Sequence, residues 1–129
     1  MSVRVLLTPL LAALFLIALP LASSALAGAA DVRAALVVQE PAGTWRFEVT
    51  VESKDAGWNA YADRWEVLAP DGTVLATREL LHPHVDEQPF TRDLSGVTIP
   101  SGIDRVTVRA HHSAAGYDGE TMTLSLPGR

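Results

Sequence analysis

The chain has 129 residues, of which 48% are hydrophobic and 19% charged, with a formal net charge of −5 and no cysteine. That length accommodates one domain. The missing thiols exclude a disulfide scaffold, a thiolate metal site, a cysteine nucleophile and a lipidated cysteine. The acidic balance argues against nucleic acid or an anionic membrane surface as a main partner, since both call for a basic footprint.

The hydrophobic excess sits at the front. One positive charge, Arg4, precedes an uncharged stretch from Val5 to Ala22, which gives way to the small residues Ser23-Ser24-Ala25-Leu26-Ala27-Gly28-Ala29-Ala30. A charged start, an apolar middle and a small-residue A-x-A exit are the pattern of a secretory signal peptide. The expectation is a leader over 1–27, with cleavage possible as late as residue 30. The apolar run is near the length of an uncleaved membrane span, but Pro9, Pro20 and the absence of a basic stop favour cleavage. The remainder, 28–129, is expected to be a single exported domain, periplasmic or secreted, with no membrane contact beyond the leader. Loss of Arg4 leaves it at −6 rather than −5.

Within that domain the hydrophobic pattern alternates with period two, the signature of half-buried strands. Val32, Ala34, Leu36 and Val38 are read as one face of a first strand. From Trp45 to Glu52 every odd residue is apolar and every even one polar. Tyr61–Leu68 and Thr73–Leu81 are read as two more strands, and a short piece falls around Thr91–Leu94 or Val97–Ile99. Val106, Val108 and Ala110 alternate with arginines and a threonine, as Met122, Leu124 and Leu126 do with hydroxyl residues. Pro41-Ala42-Gly43, Pro70-Asp71-Gly72 and Pro100-Ser101-Gly102 supply compact turns between them. About seven short strands without a helical period predict an all-β fold, an antiparallel β-sandwich of immunoglobulin or fibronectin type. Trp45, Phe47, Trp65 and Phe90 are assigned to its core.

If successive strands reverse direction, alternate loops share an end. Three connections then hold the Pro/Gly turns. The other three carry all four histidines together with Trp58, Tyr117 and the acids Asp55, Asp86, Glu87 and Asp118. In His82-Pro83-His84-Val85-Asp86 an extended backbone points His82, His84 and Asp86 to one side. An H-x-H pair delivers two imidazoles to one metal ion. A third and a fourth ligand are expected from His112, His111 or a carboxylate such as Asp118, and by strand parity His112 faces inward. Imidazole and carboxylate donors suit Zn²⁺ or Cu²⁺. The plainer alternative makes these histidines hydrogen-bonding elements that hold loops together. Trp58 and Tyr117 are expected to cap the core or to wall a site. Asp63 and Arg64, with Arg92, are read either as a surface ion pair or as a group that holds the loops. No nucleophile elbow, zinc-protease helix or phosphate loop is present, so no catalytic residues are assigned.

The segment from Tyr61 to Pro127 resembles a family of small, uncharacterised exported bacterial proteins through H-P-H-V-x-E-Q-P-F-T-R, V-x-V-R-A-H and G-Y-x-G. The resemblance implies an exported β-rich domain in which His82, His84, Glu87, Gln88, Arg92 and His111 match the family pattern. Relatives tend to carry His-Asp where this chain has His111-His112. Two functions are therefore carried forward. One is a periplasmic binding module using the loop end, in its sharpest form a Zn²⁺ or Cu²⁺ site of His82, His84 and one of His111 or His112, with Glu87, Gln88, Arg92, Trp58, Tyr117 and Asp118 around it. The other is an accessory or structural protein of the cell envelope that docks a partner protein through the same end without metal.

Overall fold

The computed structural model describes Ser2 and residues 27–129, so the leader assigned to 1–27 lies almost wholly outside the described residues. Seven strands follow in order: β1 (Ala30–Gln39), β2 (Trp45–Ser53), β3 (Ala62–Leu68), β4 (Val74–Glu79), β5 (Phe90–Val97), β6 (Arg105–His112) and β7 (Met122–Ser125). They form two antiparallel sheets, β1-β2-β5 and β4-β3-β6-β7. The sheets face each other as a β-sandwich. The fourth strand joins the β3 edge, whereas the constant-type immunoglobulin order would place it beside β5.

Alternation produces the core directly. Trp45, Phe47, Val49 and Val51 of β2 meet Trp65 and Val67 of β3 and Val106, Val108 and Ala110 of β6, with Phe90, Val97 and Leu126 completing the layer. Trp45, Phe47 and Trp65 are wholly buried. Each large apolar side chain of this kind contributes roughly 1.5–3 kcal/mol on burial. Phe90 opens β5 and faces the core, as its place after Pro89 suggested.

The first strand departs from the sequence reading. Opposite Thr50 and Val51 of β2, the β1 register slips between Val32 and Ala34, leaving Arg33 as an extra residue. One added residue reverses which side chains face inward. Val32 and Ala35 are buried, whereas Leu36 and Val38 are 64% and 50% exposed. The assigned face Val32, Ala34, Leu36, Val38 thus holds only at its first residue. The bulge turns Arg33 outward to pair with Asp31, Glu52 and Glu120 at 3.4, 3.1 and 2.9 Å.

The Pro/Gly turns act as expected. Glu40 and Thr44 close one hairpin and Ala69 and Thr73 another, each with glycine at positive φ (Gly43 87°, Gly72 88°), as a type I turn followed by a left-handed residue requires.

Candidate functional site

At the opposite end the β2–β3 loop (54–61) and the β4–β5 loop (80–89) are tied together by one carboxylate. Asp55 Oδ2 accepts the backbone N–H of His84 at 2.8 Å. Its Oδ1 accepts the N–H of Ala62 at 2.9 Å and the Ser53 hydroxyl at 2.6 Å. Gln88 forms a second tie: its Oε1 accepts the Ser53 N–H at 2.8 Å and its Nε2 donates to the His84 carbonyl at 2.8 Å. The Gln88–Pro89 peptide within this loop is cis. Loops carry polar backbone that must be satisfied once it leaves a sheet, and here side chains do so.

His84 stands at the centre of the junction, 4% exposed. Its ring stacks on Phe90 at 3.9 Å and 8°, and the His82 ring lies 4.5 Å away. Arg92, on β5, donates to His84 Nε2 at 2.9 Å. A guanidinium has only donors, so Nε2 must be the acceptor and the ring proton belongs on Nδ1. Nδ1 is buried without a hydrogen-bond partner among the described residues. Burial pushes the imidazole below its ordinary range, Arg92 and His82 add to that, and Asp55 and Glu87 oppose it. Neutral His84 therefore fits this place and imidazolium does not.

The other histidines go elsewhere. His112 is buried, as its parity predicts; its Nε2 donates to the Lys54 carbonyl at 3.2 Å, and its Nδ1 accepts from the N–H groups of Ala114 and Ala115. Both ring nitrogens are thereby used. His111 faces out and pairs through Nδ1 with Asp63 at 2.6 Å. His82 is exposed, with Nδ1 3.1 Å from the Pro83 carbonyl. The structure brings His82 and His84 together but unites neither with His111 or His112. Among the described residues no group of three or more His, Asp or Glu side chains is arranged to hold a metal ion. His84 Nε2 also faces the Arg92 guanidinium.

A second cluster lies on the outer face of the four-stranded sheet, and the sequence reading missed it. Glu66, between inward-facing Trp65 and Val67, is nonetheless only 4% exposed. Tyr117 from the β6–β7 loop (113–121) lies over it and donates its hydroxyl to Glu66 Oε1. Arg64 donates to the same phenol oxygen at 2.8 Å, and Arg109 stacks 3.8 Å from the Tyr117 ring centroid with its guanidinium 3.5 Å from Glu66. Burial alone would raise the Glu66 carboxyl. Tyr117, Arg109 and Arg64 outweigh it and hold the group below its usual value. Asp63 joins through His111 and Arg64. The cluster pins the β6–β7 loop to the sheet. Its signal was the spacing Arg64-x-Glu66 and Arg109-x-His111, but only the β3–β6 pairing, with Glu66 opposite Arg109, reveals it.

Other expected site residues separate. Arg92 belongs to the His84 junction on the other sheet, not with Asp63 and Arg64. Trp58 does not cap the core: it is 68% exposed, with its ring edge-on to Tyr61. Glu87 is exposed, and Asp118 accepts the N–H of Ala29 at 3.0 Å. Beside the junction a pocket of about 90 Å³ is lined by Arg78, Leu80, Leu81, His82, His84 and Arg92. Neither arginine pairs with a carboxylate among the described residues.

No protein-family model matches the chain, and no solved structure matches it. Over 78 residues the chain is 41% identical to a protein of Halomicrobium mukohataei described as "Putative lipoprotein". The match takes in 60% of this chain and 38% of that protein, so the chain spans well under half the length of its curated relative. These 129 residues contain no cysteine, and the lipid attachment in the relative's description has no acceptor thiol in them.

Proposed function

We propose that this chain is an exported, envelope-associated β-sandwich whose loop end docks a partner protein through an acidic side chain flanked by apolar residues. Export is supported by the leader pattern and by the likeness to a protein described as a lipoprotein. One observation carries the docking reading: in an acidic chain, the basic pocket of Arg78 and Arg92 has no carboxylate of its own and lies beside Leu81, which is 73% exposed. An incoming carboxylate would receive charge-assisted hydrogen bonds, and Leu81 would bury apolar surface against the partner. Val85 and Trp58, exposed on the two loops that Asp55 joins, extend the same end. This reading is favoured over the Zn²⁺ or Cu²⁺ module because His84 Nε2 is occupied by Arg92, both His112 nitrogens serve internal hydrogen bonds, and among the described residues no three His, Asp or Glu side chains are grouped to hold a metal ion.

The test places a photocrosslinking residue at Leu81 of the full chain in its own host. A discrete adduct with an envelope protein is expected, lost on Arg78→Glu and weakened by high salt. An adduct indifferent to Arg78→Glu would refute the carboxylate contact. Absence of any adduct, with the protein folded and exported, would refute docking through this end.

A further inference from the structure

Gly28-Ala29-Ala30 belongs to the folded domain. Ala30 is 1% exposed and pairs with Ser53, and the Ala29 carbonyl accepts the N–H of Lys54 at 2.8 Å. Asp118 Oδ1 takes the Ala29 N–H at 3.0 Å, and Asp31 Oδ1 takes the Gly28 N–H at 3.0 Å. Asp31 is itself 1% exposed and receives the Glu120 N–H at 2.7 Å through the same oxygen. Two glycines make this approach possible. A Cβ on Gly28 would fall 2.4 Å from Gly119 Cα, and one on Gly119 would fall 1.7 Å from the Ala30 carbonyl oxygen. Ala27, one residue earlier, is exposed and outside any strand.

Small residues occupy the positions needed for cleavage after Ala27 (Ala25, Ala27) and also after Ala30 (Gly28, Ala30), so sequence spacing leaves the site ambiguous. We infer that the chain is processed between Ala27 and Gly28, and that the new Gly28 α-ammonium is clamped as an ion pair by buried Asp31. In the reaction an export endopeptidase adds water across the Ala27–Gly28 peptide bond. The hydroxyl goes to the Ala27 carbonyl carbon and the proton to the departing amine, which is protonated at neutral pH. Cleavage after Ala30 would discard the partners of Lys54 and Asp118 and leave Asp31 as the terminus. Cleavage after Ala27 keeps every contact and turns a neutral N–H donor to Asp31 into a charged one. The ammonium then joins Arg33, whose guanidinium is 3.4 Å from the other Asp31 oxygen.

This inference rests on the export reading, and its experiment separates the two. The full chain with a C-terminal tag is expressed in an exporting host, the extracytoplasmic fraction is collected, and the intact mass and first residue are determined. A mature chain beginning at Gly28 is expected. An exported chain beginning at Asp31 or elsewhere overturns the inference and leaves export standing, whereas an unprocessed chain retained inside the cell overturns both. The clamp has its own readout in the processed protein. An ion-paired ammonium resists deprotonation, so an amine-reactive acylating reagent at neutral pH should modify Gly28 several-fold more slowly than in Asp31→Asn, up to roughly tenfold per pKa unit held by the pair. Equal rates in the two folded proteins would overturn the clamp. If Asp31→Asn fails to fold, the wild-type rate is compared with that of its urea-unfolded form, with the same expected slowing and the same refuting equality.

Discussion

Replacing Asp55 by alanine removes the carboxylate that joins the β2–β3 and β4–β5 loops, leaving only the Gln88 tie. The variant loses an acceptor for the N–H groups of His84 and Ala62 and for the Ser53 hydroxyl. An unpaired buried donor costs about 1–3 kcal/mol. Asp55 is half-buried, so water recovers part of this, and a net loss of about 2–4 kcal/mol is expected from the two backbone donors together. For a domain of this size 1 kcal/mol corresponds to about 4–8 °C, which places the fall in Tm at roughly 10–25 °C. Asp55→Asn keeps one carbonyl oxygen and should lose about half as much. Urea titration of the purified protein monitored by tryptophan fluorescence gives the difference in free energy, with exposed Asp86→Ala as the control. A loss in Asp55→Ala below about 1 kcal/mol, within reach of an ordinary surface substitution, would show that the carboxylate does not organise this end.

Glu66→Ala removes the carboxylate partner of Arg109 and the acceptor of the Tyr117 hydroxyl, and should destabilise by about 1–3 kcal/mol, more than Tyr117→Phe; chemical denaturation of both variants checks the order. His84 is held neutral with its value lowered, so the unfolded chain binds the extra proton first. Its contribution is complete above the ordinary histidine value of 6.5 and declines as pH falls below that; urea midpoints between pH 7.5 and 5 should show this slope flattened in His84→Phe. The Glu66 contribution has the carboxylate sign. It is present above about pH 4.5 and fades as pH drops through its lowered value, so a second acid loss should vanish in Glu66→Gln. Calorimetric titration of tag-free protein with Zn²⁺ and Cu²⁺ should reveal no saturable micromolar uptake that the double variant His82→Ala, His84→Ala abolishes; such uptake would restore the metal reading.

Seven strands, their turns and the inward faces of β2 and β6 could be read from the chain because period-two alternation and Pro/Gly turn chemistry are local. The grouping of the histidine-bearing loops at one end also followed, since strand direction simply alternates, and the contact of Asp55 with His84 agrees with it. Local pattern failed where pairing decides. The slip at Arg33 reversed the β1 face because an extra residue in a strand is defined only against its partner. Glu66 drew no assignment from the sequence, because its burial depends on β6 laying Arg109 opposite and on the next loop covering both with Tyr117. Neither residue spacing nor composition states which hydrogen bond an imidazole makes, since most of the partners come from distant strands or loops. The sequence by itself determined which residues populate the loop end; the tertiary structure alone decided how its histidines are bonded, because a contact such as that of Arg92 with His84 Nε2 joins residues that only the fold brings together.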